Sequence, residues 1–441
     1  MSTHATDDAA TIALRGPLLT FRGDPFLSGL ESTLDYDSDA IVAMRGGRIT
    51  YAGPAAAVAR TLPASVQVER NGTGTLMLAG FIDCHVHYAQ AGIVASFGRQ
   101  LIEWLEQYTF VAEQAFVDAS HARSAAAFYV GEALRQGVTT AANFCTVHPQ
   151  SVDALFEAAQ ALDMRMIAGK VMMDRHAPAA LTDTAQQGYD ESKALIERWH
   201  GRGRLVYAIT PRFAATSTPG QLLAAAALRR EHADCLLQSH IAENRAEVAW
   251  IAELFPEADG YLDVYERHGL IGPRSIYGHG VWLTEQELAR CHATGTAIAH
   301  CPTSNAFLGS GTFDLMRARR AERPVSVGLA TDVGGGTTFS MLRTMGAAYS
   351  AAQAHGNALS AGHAFYLATR GSAQALHLED RIGSIVPGME ADLVVLDLHS
   401  TPLIDYRMRR VESLEEALFV QMTLGDERAV KATYVAGVRR F

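Results

Sequence analysis

The residues best suited to chemistry begin in the stretch GFIDCHVHYAQ, positions 80–90. His85 and His87 stand two apart, and Gln90 follows three residues after the second. The apolar entry through Phe81 and Ile82 marks a strand, where alternate side chains point to the same side. Two imidazoles so arranged can bind one divalent ion, although a surface or satisfied core pair has the same spacing. Further on, His240 closes the run CLLQSH, with Glu243 three residues beyond it. His279 closes SIYGH, and Asp332 closes VSVGLATD. With His240 and Asp332 added, three neutral ring nitrogens and one carboxylate suit Zn²⁺ or Fe²⁺ and leave a position for water.

Other residues near these ends admit a plain reading beside a functional one. Glu243 alone fits a solvated carboxylate at the start of a helix, where the macrodipole favours it. Arg212 and Phe213 follow the run RLVYAITP; an arginine there serves a ligand or a surface ion pair. His279 also fits a buried histidine that donates to a backbone carbonyl. His300, His148 and His176 read as structural, and Lys170 as a possible support without chemistry demanded by its spacing.

Elements from distant parts of the chain must bring these side chains together. Eight apolar runs recur with helical stretches between them: GFIDCHVH, GVTTAANF, RMIAGKVMM, RLVYAITPRF, CLLQSHIAE, SIYGHG, TAIAHCP and VSVGLATD. Eight alternating strands and helices predict an α/β fold, a TIM-like (β/α)8 barrel. In such a barrel, functional groups project from the carboxyl ends of the strands, where the titratable residues above stand. Helix signals support the alternation. Thr218, Pro219 and Gln221 predict a capped helix start with a capping box, as do Thr284 and Glu287, and Gly295 predicts a stop.

Both chain ends have a different texture. TIALRGPLLTF and DAIVAMRGGRITYAG read as strands, the second turning at Gly46-Gly47. ADLVVLD and VKATYVAGVRRF match them at the far end. They predict a small β-sandwich domain formed from residues 1–75 and 381–441, with the barrel over 76–380. Residues 1 to about 10 read as a loose tail.

Composition narrows the function classes. The 441 residues carry 47 acidic and 37 basic side chains, a formal net charge of −10, with no basic stripe. Nucleic acid and membrane surfaces are therefore not expected partners. Five scattered cysteines without a CxxC predict reduced thiols and a cytoplasmic location rather than a disulfide framework. The polar, acidic start MSTHATDDAA lacks the basic and apolar regions of a signal peptide.

The motifs GFIDCHVHYAQ, EWLEQYTF, TPRF, SHIAENRAEV, YGHGVWLTEQEL, AHCPTSNAFLGSG, TDVGGGTTFSML and PGMEADLVVLD together resemble the amidohydrolase superfamily in its single-metal deaminase branch. Within that branch they are similar to the bacterial guanine deaminases. His-x-His alone marks the superfamily; TPRF with SHIAENRAEV and AHCPTSN is more specific. One departure is Val111 in YTFVAE, where proline is expected. Two-metal relatives place a modified lysine after strand four; this chain has Arg212 there, so one Zn²⁺ or Fe²⁺ per chain is expected. The resemblance implies that His85, His87, His240 and Asp332 hold the metal. Glu243 would shuttle a proton to the purine, His279 would orient the attacking hydroxide, and Asp332 would take the proton released. Gln90, Arg212, Phe213 and Glu243 would bind the base. It further implies a homodimer acting on a small purine. The alternatives are deamination of another aminopurine or a pterin, hydrolysis of a cyclic amide, and a catalytically dead barrel serving as a scaffold.

Overall fold

The computed structural model describes residues 11–58, 62–63, 66–98 and 100–441. The tail expected over residues 1 to about 10 lies outside the described residues. All eight predicted runs form strands: Phe81–Val86, Val138–Phe144, Arg165–Gly169, Leu205–Pro211, Leu236–Ile241, Ser275–His279, Ala297–His300 and Val327–Leu329. Each pairs in parallel with the next. The two-residue strand Val171–Met172 extends the third run along the fourth. The eighth connection meets the first strand through backbone bonds, Asp332 N–H to His85 O at 2.9 Å and His87 N–H to Val333 O at 2.6 Å.

Strand pleating divides the apolar residues between two layers. Leu236 packs in a cluster with Ile82, Ile167 and Ile276, whereas its neighbour Leu237 joins the cluster that includes the helix residues Leu222 and Leu288. The helix signals hold with one difference. Thr284 and Glu287 form the reciprocal capping box, and Gly295 ends that helix at φ +73°. Thr218 caps Pro219–Glu231 by accepting from Gln221 N–H, but the return bond from the Gln221 side chain is not made. Its Nε2 instead donates to Asp183 Oδ1 at 2.8 Å, the carboxylate that also pairs with buried Lys170.

The chain ends share one eight-stranded sheet. Ile12–Phe21, Leu34–Arg45 and Arg48–Pro54 come from one end; Leu393–Asp397, Val430–Val435 and Val438–Arg439 come from the other. Thr75–Ala79 joins the two sets by pairing antiparallel with Leu393–Asp397 and parallel with Ile12–Phe21. The expected sandwich is thus a single sheet, in which Leu14, Val42, Met77, Val395 and Tyr434 share a buried cluster. Gly46 and Gly47 make the hairpin at φ +58° and +76°. The strand Thr75–Ala79 lies astride the 75/76 division, so the chain leaves the small sheet at Gly80. A Cβ there would stand 2.2 Å from the Thr139 side chain, which leaves room for glycine alone.

Candidate metal and active site

The predicted ligands converge at the carboxyl ends of the barrel strands. His85 Nε2 and His87 Nε2 lie 3.4 and 3.6 Å from Asp332 Oδ1, and His87 Nε2 lies 3.1 Å from His240 Nε2. His240 Nδ1 donates to the Arg212 carbonyl at 2.7 Å, which leaves the Nε2 lone pair free for a metal. His85 Nε2 is buried with no hydrogen-bond partner. Burial lowers the pKa of all three imidazoles, keeping them neutral. Burial opposes ionisation of Asp332, but His85, His279 and Ser304 outweigh it and hold the carboxyl at about 2. Three neutral nitrogens around an ionised carboxylate, one of them orphaned, form a donor set that fits a divalent ion. The Phe144 ring packs 4.7 Å from each of the three imidazoles and fixes their orientation.

Backbone geometry aims the side chains of the site. His279 and Asp332 have φ of +78° and +51°, in the left-handed region that non-glycine residues seldom occupy. Such conformations cluster at functional sites, where surrounding structure holds them. Gly278 gives His85 its space: a Cβ there would stand 2.6 Å from His85 Cε1.

Glu243 precedes the helix Arg245–Leu254 and is buried, so the solvated-carboxylate reading does not hold. Its Oε2 lies 3.4 Å from His279 Nε2, and its Oε1 accepts from Ser310 Oγ at 2.9 Å. Burial raises its pKa to about 7, against the pull of His279. It can therefore hold or release a proton near neutrality. His279 Nδ1 donates to Asn305 Oδ1 at 2.9 Å, a side chain rather than a backbone carbonyl. Burial opposes protonation of His279, yet Glu243 and Asp332 raise its pKa.

Beside the candidate ligands, a chamber is lined by Gln90, Trp104, Arg212, Phe213, Glu243 and Leu308, among others. Arg212 is buried, not a surface cation; its Nη1 donates to both Glu113 oxygens at 3.0 and 2.9 Å. Gln90 Nε2 donates to the same Glu113 Oε1 at 2.8 Å. Phe213 is buried and meets Trp250 edge-on at 6.3 Å.

Residues 76–439 match the amidohydrolase family. The chain belongs to the amidohydrolase family. Guanine deaminase from Escherichia coli (strain K12) is 48% identical over 408 residues, 92% of each chain. The solved structure of E. coli guanine deaminase superposes with TM-score 0.94 at 46% identity, over 98% of this chain and 99% of that one. Guanine deaminase from Bradyrhizobium japonicum gives TM-score 0.94 at 34% identity, with the same coverage.

In this amidohydrolase all the predicted site residues come together, and several partners escaped sequence reading. Glu247 accepts from the backbone N–H of Glu243 and Asn244 at 2.8 and 3.1 Å, fixing the loop that carries the acid. The capping-box spacing from Asn244 to Glu247 is the signal that exposes it. Phe144, Asn305 and Ser310 lie within quoted motifs, but nothing in their spacing marks them. Other candidates stay outside. His300 is buried against Phe313, its ring nitrogens make no hydrogen bond among the described residues, and burial lowers its pKa to about 3. His176 Nδ1 bonds to the Ala215 carbonyl at 2.7 Å. Lys170 is spent on Asp183 and on Glu191 at 3.3 Å. Cys301 lies near His85, His279 and Asp332, but burial keeps its thiol protonated and it donates to the Ala299 carbonyl at 3.4 Å. Val111 is 62% exposed on the helix Phe110–Gln114, away from the chamber.

Proposed function

We propose that this amidohydrolase deaminates guanine hydrolytically, yielding xanthine and ammonia. The observation that carries this reading is the convergence of three histidines and Asp332 beside an acid poised near neutrality, in a chain 48% identical to a guanine deaminase over 92% of its length. His85, His87, His240 and Asp332 would hold one Zn²⁺ or Fe²⁺. When bound, such an ion lowers the pKa of water to about 7 and so supplies a nucleophile at neutral pH.

This chain's own groups do the rest. Asp332, held ionised by His85 and His279, accepts the proton released by the attacking water. His279, held by Asn305 and facing both carboxylates, orients that water toward C2 of the base. Addition at C2 builds negative charge on ring nitrogen N3, which Glu243 protonates. Positioned acid catalysis of this kind is worth about 10²–10⁴-fold. As the bond from C2 to the exocyclic nitrogen breaks, Asp332 passes its proton to that amine and Glu243 takes back the hydroxyl proton, so ammonia leaves and the C2 carbonyl of xanthine remains. Arg212 and Gln90 hold polar edges of the purine, and Phe213 covers its face.

The same reading takes residues 76–380 as the catalytic barrel and the two chain ends as its accessory domain. It also takes the enzyme as a cytoplasmic homodimer. Five buried, unpaired cysteines support the compartment. No described helix is long and apolar enough to cross a membrane.

The test is kcat/KM for guanine and adenine with the purified enzyme. Adenine carries an amine at C6 where guanine has oxygen, so it would set an amine against the Arg212 donor. Sites built on such bonds reject the wrong partner by about 10⁴–10⁵-fold. Comparable values for the two bases would defeat the assignment.

A further inference from the structure

Glu113 is absent from the mechanism above, yet its carboxylate joins Gln90 and Arg212, the two side chains that hold the polar edges of the base. It is fully buried on the helix Phe110–Gln114. The chain reaches it through the π-helical turn Leu105–Thr109, which follows the helix Leu101–Trp104. A π turn advances five residues where an α turn advances four. Trp104, Thr109 and Glu113 therefore fall on one side, and all three are buried.

An ionised carboxylate only accepts hydrogen bonds. Glu113 Oε1 thus requires the NH₂ of Gln90, at 2.8 Å. That turns the Gln90 carbonyl the other way, where the Gly334 N–H donates to it at 3.4 Å. Reversing the amide would set carbonyl against carboxylate and NH₂ against N–H, so its neighbours permit one direction. Arg212 spends Nη1 on Glu113; among the described residues its Nε and Nη2 make no hydrogen bond. The carboxylate also balances the guanidinium charge, so the end of the chamber at Arg212 is matched to neutral polar groups of a ligand.

We propose that Glu113 is a positioning residue that sets Gln90 as an acceptor and Arg212 as a donor, making the chamber selective for a neutral base with an N–H beside a carbonyl. This rests on the guanine reading, for guanine carries N1–H next to C6=O. 2-Aminopurine keeps the amine at C2 but has neither group, so it reports the same chemistry without the recognised edge.

The experiment measures kcat and KM for both bases with metal-loaded wild type, Glu113→Gln and Glu113→Asp, alongside melting curves and metal content. Glu113→Gln offers one acceptor oxygen in place of two, so Gln90 is released to turn. Its kcat/KM for guanine should fall by about 10²-fold, mainly through KM, with metal content unchanged. Preference for guanine over 2-aminopurine should fall about tenfold or more, and Glu113→Asp should recover part of it. An equal loss on both bases, or no loss, would overturn the assignment, because a merely structural role does not discriminate between them. If Glu113→Gln does not melt cooperatively, the preference of Glu113→Asp is read instead, and an unchanged preference there overturns the assignment equally. Wild type inert toward guanine would remove the guanine reading itself; active wild type with unaltered preference in the variants removes only the role of Glu113.

Discussion

In the proposed mechanism, Glu243 is the residue on which the chemistry turns. Glu243→Gln keeps its shape and its bond to Ser310 but removes the transferable proton. Turnover of guanine should fall by about 10²-fold or more at unchanged metal content. A variant retaining half its turnover would exclude Glu243 from proton transfer. The same carboxyl makes a separate prediction for the metal-free protein. Its folded pKa, about 7, lies above the ordinary value of 4.5. The neutral form is therefore favoured in the fold, and the stability it contributes is complete below 4.5 and lost as pH rises through about 7. Glu243→Gln is always neutral and escapes that loss. Metal-free variant should gain on metal-free wild type between pH 5 and 8, on the order of 3 kcal/mol, by denaturant midpoints. A difference independent of pH would contradict the burial argument. That His85, His87, His240 and Asp332 converge was legible in the sequence because each stands at the carboxyl end of a predicted strand. Glu113 was not: its partner Arg212 is 99 positions away, and a glutamate on a short helix looks like any solvated one.

The strands announced themselves through apolar, β-branched runs, and their order placed the ligands at one mouth. What sequence could not show was the local backbone that aims them. The π turn at Leu105–Thr109 and the positive φ of His279 and Asp332 arise from tertiary packing, not from residue type. Gly278 illustrates this on the sixth strand. It reads as a weak point in a strand, yet it is the space that the His85 ring occupies. Gly278→Ala should displace that ring. Displacing a group that orients a ligand typically costs about 10–100-fold in metal affinity. Titration of metal-free protein with Zn²⁺ against a competing chelator measures it. Unchanged affinity would show that the ring has slack the distances do not suggest.

At the scale of the molecule, a buried ionic network joins the barrel to the segment that returns to the small sheet. Arg165 opens the third barrel strand and pairs with Glu390; Arg204, just before the fourth, pairs with Glu390 and Asp392. Sequence reading grouped the two chain ends by texture but had no means of pairing charges nearly 200 positions apart, 186 from Arg204 to Glu390. Glu390→Ala leaves two buried guanidinium groups short of a partner. Breaking such a pair costs about 3–5 kcal/mol, which urea unfolding would register while turnover per folded molecule stays unchanged. A loss under about 1 kcal/mol would place the network with exposed ion pairs instead. Guanine chemistry at one loaded metal site is the proposal on which the other activity predictions depend. The most direct test strips the enzyme with a chelator, restores Zn²⁺ or Fe²⁺, and follows guanine, xanthine and ammonia together with metal content. The account predicts no turnover without metal, and one xanthine and one ammonia per guanine once about one ion per chain is restored. Full turnover in verified metal-free enzyme, or loss of guanine without equal xanthine and ammonia, would contradict it.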